Sequence, residues 1–146
     1  MRRKGRGMSF HSSTRSSHPC RECGDVVKQS GKLYCSNRCQ VDWQYRCYID
    51  EWKRGVRSGV QKPYGVSNYV RRYLTEKFGE KCARCSWSQR HPITRRVPLQ
   101  IEHVDGCWEN CHEDNLMLLC PNCHALTETF GALNKGRGRA ARYVKL

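Results

Sequence analysis

The residues best suited to chemistry lie between positions 82 and 124, where cysteine pairs enclose a set of ionisable side chains. Two Cys-x-x-Cys pairs, Cys82–Cys85 and Cys120–Cys123, are separated by 34 intervening residues. Four thiolates in this pattern predict a structural zinc site. Four further residues lie inside this segment or directly after its last cysteine: Glu102, His103, Asn115 and His124. We therefore expect the zinc to join the two ends of a reactive loop.

The order of His103, Asn115 and His124, in IEHVDG, EDNLMLLC and CPNCHALT, resembles the His-Asn-His pattern of the HNH nuclease family. The segment from about Cys82 to Lys135, including TETFGALNKG, is similar to the zinc-stabilised branch of that family. The resemblance implies a small, metal-stapled α+β fold with an N-terminal zinc finger and helices, then a ββα-metal nuclease domain. The overall layout also resembles phage-encoded, homing-type HNH endonucleases.

Cleavage of a phosphodiester needs a base for the attacking water, positive charge at the phosphate and stabilisation of the leaving oxygen. His103 can be the base, because an imidazole titrates near neutral pH. The resemblance implies that Glu102 and His124 bind a catalytic divalent cation and that Asn115 holds the loop and orients the histidine. We expect magnesium or manganese, while mixed nitrogen and oxygen ligation leaves zinc or nickel open.

A third ligand for the catalytic cation is predicted at Glu128, which would face the same way as His124 one helical turn later. Asp105 is an alternative ligand, although Asp-Gly at this point also suits a turn. Three residues of this loop are unusual for relatives: Cys107, Cys111 and His112. Together with His91 they leave a third metal site open.

Four cysteines nearer the N-terminus predict a second structural zinc site: Cys20, Cys23, Cys35 and Cys39. Two residues separate the members of the first pair and three separate those of the second. His18 is an alternative ligand because it lies close to Cys20. No obvious catalytic side chain lies within this module, so we expect a structural or DNA-contacting role. Cys47 is predicted to be a free, partly buried thiol.

Capping residues and hydrophobic periodicity predict the helices and strands that carry these residues. Ser36 is expected to cap a helix that runs to about Arg54, and Ser67 a second helix that Gly79 ends. Residues 98–104 and 116–119 read as strands, and residues 122–130 as a helix. The predicted division is a basic tail (1–19), a zinc finger with its helix (20–54), a linker (55–66), the nuclease domain (67–135) and a second basic tail (136–146).

Composition favours a polyanionic partner. The 146 residues carry a net charge of +14, and only 38% of them are hydrophobic, so a large apolar core is excluded. Residues 1–19 and 131–146 each contain five basic and no acidic residues. Basic ends of this kind suit nucleic acid, since each neutralised phosphate releases counterions. The sequence shows no apolar run long enough for a membrane span and no secretory signal, so we expect a reducing cytoplasm in a bacterial or phage-infected cell.

Together these observations predict a metal-dependent DNA endonuclease that acts on double-stranded DNA with His103 as general base. One alternative is a zinc-stapled DNA- or RNA-binding protein without catalysis. Another is an assembly factor, such as an accessory to phage DNA packaging that still cuts. Homing, restriction and packaging are not distinguished by the residues themselves.

Overall fold

The structure is a computed structural model that describes residues 17–29, 31–62 and 65–134. The ten lysine and arginine residues of segments 1–19 and 131–146 lie outside the described residues. The chain divides into two compact units, Met1–Gln44 and Tyr45–Leu146. Within the described part of the chain, no helix is both long enough and apolar enough to cross a membrane.

The first unit is organised by short backbone contacts around its cysteines. Strand β1 (His18–Pro19) pairs antiparallel with strand β2 (Val26–Val27), and the Val27 side chain is buried. The backbone N–H of Arg21 donates to the carbonyl oxygen of Leu33 at 3.1 Å. The rings of Tyr34 and Trp43 lie 6.3 Å apart. A unit with so few buried apolar side chains needs a further cross-link to be stable.

Two helices supply the apolar core of the second unit. Helix α1 (Asn37–Lys53) begins as predicted, since Ser36 Oγ accepts a hydrogen bond from the N–H of Cys39 at 3.2 Å. Helix α2 (Asn68–Phe78) is capped by Ser67 and followed by Gly79, as predicted. Their facing sides bury five residues: Tyr45, Ile49, Trp52, Val70 and Leu74.

A two-stranded antiparallel sheet carries the candidate site. Strand β3 (Gln100–His103) is shorter than the predicted 98–104, whereas strand β4 (Leu116–Leu119) confirms its prediction. In the register of the pair, Glu102 lies opposite Met117 and His103 opposite Leu116. Leu116 and Leu118 join the helical core, while Leu119 packs with the second cysteine cluster. The alternation of a strand thus lets β4 face two separate cores.

The last helix corrects a prediction. Helix α3 spans Pro121–Ala125, not residues 122–130. After Ala125 the hydrogen bonds span three residues, as in a turn. The N–H of Leu126 donates to the carbonyl oxygen of Cys123. Both the N–H and the hydroxyl of Thr127 donate to the carbonyl oxygen of His124. A Thr hydroxyl that bonds to a nearby carbonyl competes with the helical pattern. The chain beyond residue 127 therefore follows a different course from the predicted helix.

Candidate metal sites and catalytic cleft

The first cysteine cluster contains the four predicted ligands, Cys20, Cys23, Cys35 and Cys39, and their sulfur atoms all lie within 4.8 Å of one another. Burial by itself raises the pKa of Cys20, but hydrogen bonds from the backbone N–H groups of Cys23, Cys35 and Glu22 outweigh it and lower the pKa to about 6. The pKa of Cys35 is instead raised, mainly by its hydrogen bond with Cys39, so the closeness of the four sulfur atoms, and not the pKa of one thiol, is what fits a metal ion. The cluster can therefore hold a metal ion. His18, the alternative ligand, is not part of it.

The second cluster consists of Cys82, Cys85, Cys120 and Cys123, again with all sulfur atoms within 4.8 Å of one another. Cys82 and Cys120 are buried. Burial raises the pKa of Cys82, but backbone N–H groups, that of Cys120 foremost, outweigh this effect and lower the pKa to about 6. This cluster, too, can hold a metal ion.

Backbone contacts link the second cluster to the sheet. The N–H of Ala83 donates to the carbonyl oxygen of Leu118 in β4 at 2.8 Å. The N–H of Cys82 donates to the carbonyl oxygen of Trp87, also at 2.8 Å. Leu119 is fully buried in this cluster, and Trp87 packs against it. The cluster thus joins the segment 82–87 to β4 and to the start of α3.

A cleft of about 280 Å³ lies beside this junction and brings Glu102, His103 and His124 together. Glu102 Oε2 lies 2.9 Å from His124 Nε2, and the Glu102 side chain is largely buried. Adjacent residues of a strand point to opposite faces, yet both Glu102 and His103 line the cleft. The pair Glu102–His124 offers one oxygen and one nitrogen atom to a cation. The other residues that line the cleft are Ile101, Gly106, Trp108, Thr129, Phe130, Gly131 and Asn134.

Two residues that the sequence analysis did not select hold this pair in place. The hydroxyl of Thr129 donates to Glu102 Oε1 at 2.5 Å. The ring of Phe130 contacts the ring of His124 edge-on, with centroids 5.4 Å apart. Both residues reach the cleft because the chain turns after α3. Threonine and phenylalanine carry no distinctive catalytic signature, so sequence alone had no signal for them.

The loop between the strands is braced by Asn115 and Asp105. The side-chain amide of Asn115 donates to Asp105 Oδ1 at 2.9 Å and to the carbonyl oxygen of Asn110 at 2.7 Å, while its Oδ1 accepts from the N–H of Asp105. Burial raises the pKa of Asp105, but hydrogen bonds from Asn110, Cys107 and Asn115 outweigh it and lower that pKa. The carboxylate of Asp105 is thus used within the loop, as expected of an Asp-Gly turn.

His103 is held from within the protein by a residue of the same loop. Its Nε2 atom lies 3.5 Å from the sulfur of Cys111, which is almost completely buried. Cys111 was expected only as a ligand of a third metal site. Among the described residues, no group of three or more close metal-ligating side chains contains Cys107, Cys111, His112 or His91, so the structure does not bring this third site together.

Glu128 does not lie where the sequence predicted. The prediction required a helix that continued past His124, whereas α3 ends at Ala125. The Glu128 side chain is exposed and does not line the cleft. The geometric reason for choosing it as the third ligand is therefore wrong.

One comparison with known proteins bears on this site. A curated relative described as H-N-H endonuclease F-TflIV, from Escherichia phage T5, is 48% identical over 58 residues. The matched stretch is 40% of this chain, and the chain spans only 23% of the relative's length. No family model and no solved structure match the chain. Over this stretch the chain is therefore similar to a phage protein described as an H-N-H endonuclease, in agreement with the resemblance of its His-Asn-His pattern.

Proposed function

We propose that this chain is a metal-dependent HNH endonuclease that hydrolyses phosphodiester bonds in double-stranded DNA, by a nick or a double-strand break. The observation that carries the proposal is the cleft in which Glu102, His103 and His124 come together. The similarity to a phage endonuclease supports the nuclease class. In this proposal β3, β4 and α3 form the ββα-metal unit of the family.

The catalytic cation would be held by Glu102 and His124. Two neighbouring ligands of an octahedral cation, each about 2.1 Å from it, are about 3.0 Å apart. The 2.9 Å separation of Glu102 Oε2 and His124 Nε2 fits this requirement. When bound, such an ion neutralises charge on the phosphate and stabilises the leaving oxygen. The carboxylate suits magnesium or manganese, the ions expected first, while the imidazole leaves zinc or nickel open.

His103 would act as the general base. Its imidazole takes a proton from water, and the resulting hydroxide oxygen attacks phosphorus to leave 5′-phosphate and 3′-hydroxyl ends. Asn115 and Asp105 contribute indirectly, since their hydrogen bonds hold the loop that follows His103. Asn115 therefore has a structural part in the proposal.

Both cysteine clusters would hold zinc. Sulfur atoms at the corners of a zinc tetrahedron, about 2.3 Å from the ion, are about 3.8 Å apart. The observed separations are 3.5 Å for Cys23–Cys35, 3.4 Å for Cys35–Cys39 and 3.8 Å for Cys85–Cys120. The first zinc would hold the finger in 20–54, and the second the nuclease domain in 67–135, with 55–66 between them.

The basic ends would supply affinity for DNA. The tails 1–19 and 136–146 carry positive charge that would neutralise phosphates and make binding strongly dependent on salt. A cytoplasmic setting in a bacterial or phage-infected cell remains part of the same proposal.

The direct test is cleavage of plasmid DNA by the purified chain with Mg²⁺ or Mn²⁺. His103→Ala should lower the rate by a factor on the order of 10² or more, the usual contribution of a general base, without loss of zinc. His112→Ala is the matched control, since this exposed histidine of the same loop makes no capping hydrogen bond. Excess Mn²⁺ should partly rescue His124→Ala but not His103→Ala.

Two outcomes would overturn the proposal. If His103→Ala cut as fast as the parent, His103 would not be the base. If the parent cut no duplex with any divalent ion, the zinc-stapled nucleic-acid-binding protein would replace the nuclease.

A further inference from the structure

Cys111 contacts His103 but is not one of the residues that line the cleft. His103 lines the cleft, and only 1% of Cys111 is exposed. The Cys111 sulfur lies 3.5 Å from His103 Nε2. The imidazole thus has contact with both the cleft and a buried thiol.

Two contacts fix the position of Cys111. The indole N–H of Trp52 in α1 donates to the carbonyl oxygen of Cys111 at 2.8 Å, a buried hydrogen bond between residues distant in sequence. Gly59, with φ +77°, packs so closely that a Cβ there would lie 2.7 Å from Trp52 Nε1 and 3.0 Å from Cys111 Cβ. No side chain larger than that of glycine therefore fits at position 59. The helical core of the second unit holds Cys111 in place.

The hydrogen-bonding capacity of the thiol determines its role toward the ring. The Cys111 thiol donates to the carbonyl oxygen of Trp108, with the sulfur 3.6 Å from that oxygen. A thiol has one hydrogen to donate, so a sulfur lone pair is available to Nε2. Burial raises the pKa of Cys111 to about 11, which keeps the thiol neutral near neutral pH. Nε2 is then the atom that carries hydrogen and donates to sulfur.

We propose that Cys111 is a positioning residue that fixes the ring and tautomer of His103, so that Nε2 donates to sulfur and Nδ1 is the atom that takes the proton from water. The partner of one ring nitrogen sets the role of the other. One water O–H bond breaks as its proton moves to Nδ1, and the hydroxide oxygen forms a bond to phosphorus. The bond from phosphorus to the leaving 3′ oxygen breaks, and that oxygen takes a proton from solvent. This inference rests on the proposed function.

The tautomer can be measured without any cleavage assay. Nitrogen-15 NMR of the zinc-loaded protein distinguishes the Nδ1–H and Nε2–H forms of a histidine. We expect His103 in the parent to be the Nε2–H form, and Cys111→Ser to retain it. Cys111→Ala and Cys111→Val should give a mixture of the two forms, and Val carries the test if the smaller side chain prevents folding. The control is Cys47→Ala, which changes a half-buried cysteine of α1, outside the loop that contains Cys111.

Single-turnover cleavage provides the second measurement. Cys111→Val should slow it roughly 10-fold, the low end for groups that orient active-site histidines, while Cys111→Ser should remain close to the parent. A parent in the Nδ1–H form, or a tautomer and rate that Val and Ala leave unchanged, would overturn the inference. If the tautomer responds as expected but no variant and no parent cuts DNA, the contact stands and the proposed function fails.

Discussion

The two four-cysteine clusters have the same ligands but different surroundings. In each, four sulfur atoms lie within 4.8 Å of one another. Within the first cluster only Cys20 is buried. The second cluster has two buried cysteines and packs around the fully buried Leu119. His124, directly after its last cysteine, reaches Glu102 at 2.9 Å.

This difference shows that ligand type alone does not determine what a metal cluster contributes. Among residues 17–29 and 31–44 of the first unit, only Cys20 and Val27 are buried hydrophobic residues, so a metal ion there would substitute for an apolar core. The second cluster joins the segment 82–87, β4 and α3. Strand β4 pairs with the strand that carries Glu102, and α3 carries His124. The structural role of the second cluster is thus directly coupled to the candidate chemistry.

Removal of one ligand from each cluster should give the largest effect and tests the comparison directly. Cys82→Ala should remove about one zinc per chain and abolish both cooperative unfolding of the second unit and cleavage, because metal binding and folding are coupled. Cys35→Ala should also remove about one zinc, yet leave cleavage at saturating protein. Metal analysis, thermal melting and plasmid cleavage measure these outcomes. Equal loss of cleavage in both variants would show that the two clusters are not separable in function.

Gly106→Ala tests the packing around the cleft separately from the two cysteine clusters, because it removes no cysteine. Gly106 has φ +75°, and a Cβ there would lie 2.8 Å from Thr129 Cγ2 and would overlap Asn134 Oδ1. Gly55→Ala is the matched control, with φ +73° and nothing within 4 Å. The control should cost about 1 to 2 kcal/mol of unfolding free energy from the left-handed backbone alone. We expect a clearly larger loss for Gly106→Ala in thermal melts, together with slower cleavage. Equal losses would contradict the close packing of this loop.

Thr129→Val should have the smallest effect and concerns the cleft alone. Loss of the hydroxyl that donates to Glu102 Oε1 should weaken Mn²⁺ binding roughly 10-fold, as for other groups that orient metal ligands. Thr129→Ser retains the donor and should bind Mn²⁺ like the parent. Electron paramagnetic resonance of free Mn²⁺ measures this binding without DNA. Unchanged affinity in the Val variant would mean that Glu102 does not hold the ion.

Several elements followed from local signals in the sequence. Ser36 and Ser67 cap their helices, because a side-chain oxygen can reach an N–H two or three residues ahead without any tertiary contact. The residues of β4 were identified because an apolar run between a polar loop and a cysteine pair is compatible with few other structures. Cysteine spacing likewise grouped each set of four thiols correctly.

The sequence alone therefore identified the candidate residues and the family that their order resembles. The residues are eight thiols in two sets, together with Glu102, His103, Asn115 and His124. Only the tertiary structure decided which atoms meet. The early end of α3 placed Thr129, and not Glu128, beside Glu102, and the packing of Trp52 and Gly59 brought Cys111 to His103. These contacts join residues 8 to 59 positions apart, and they depend on where the chain turns and on how cores pack. Periodicity and spacing describe neighbours along one element, so they carry no information about such contacts.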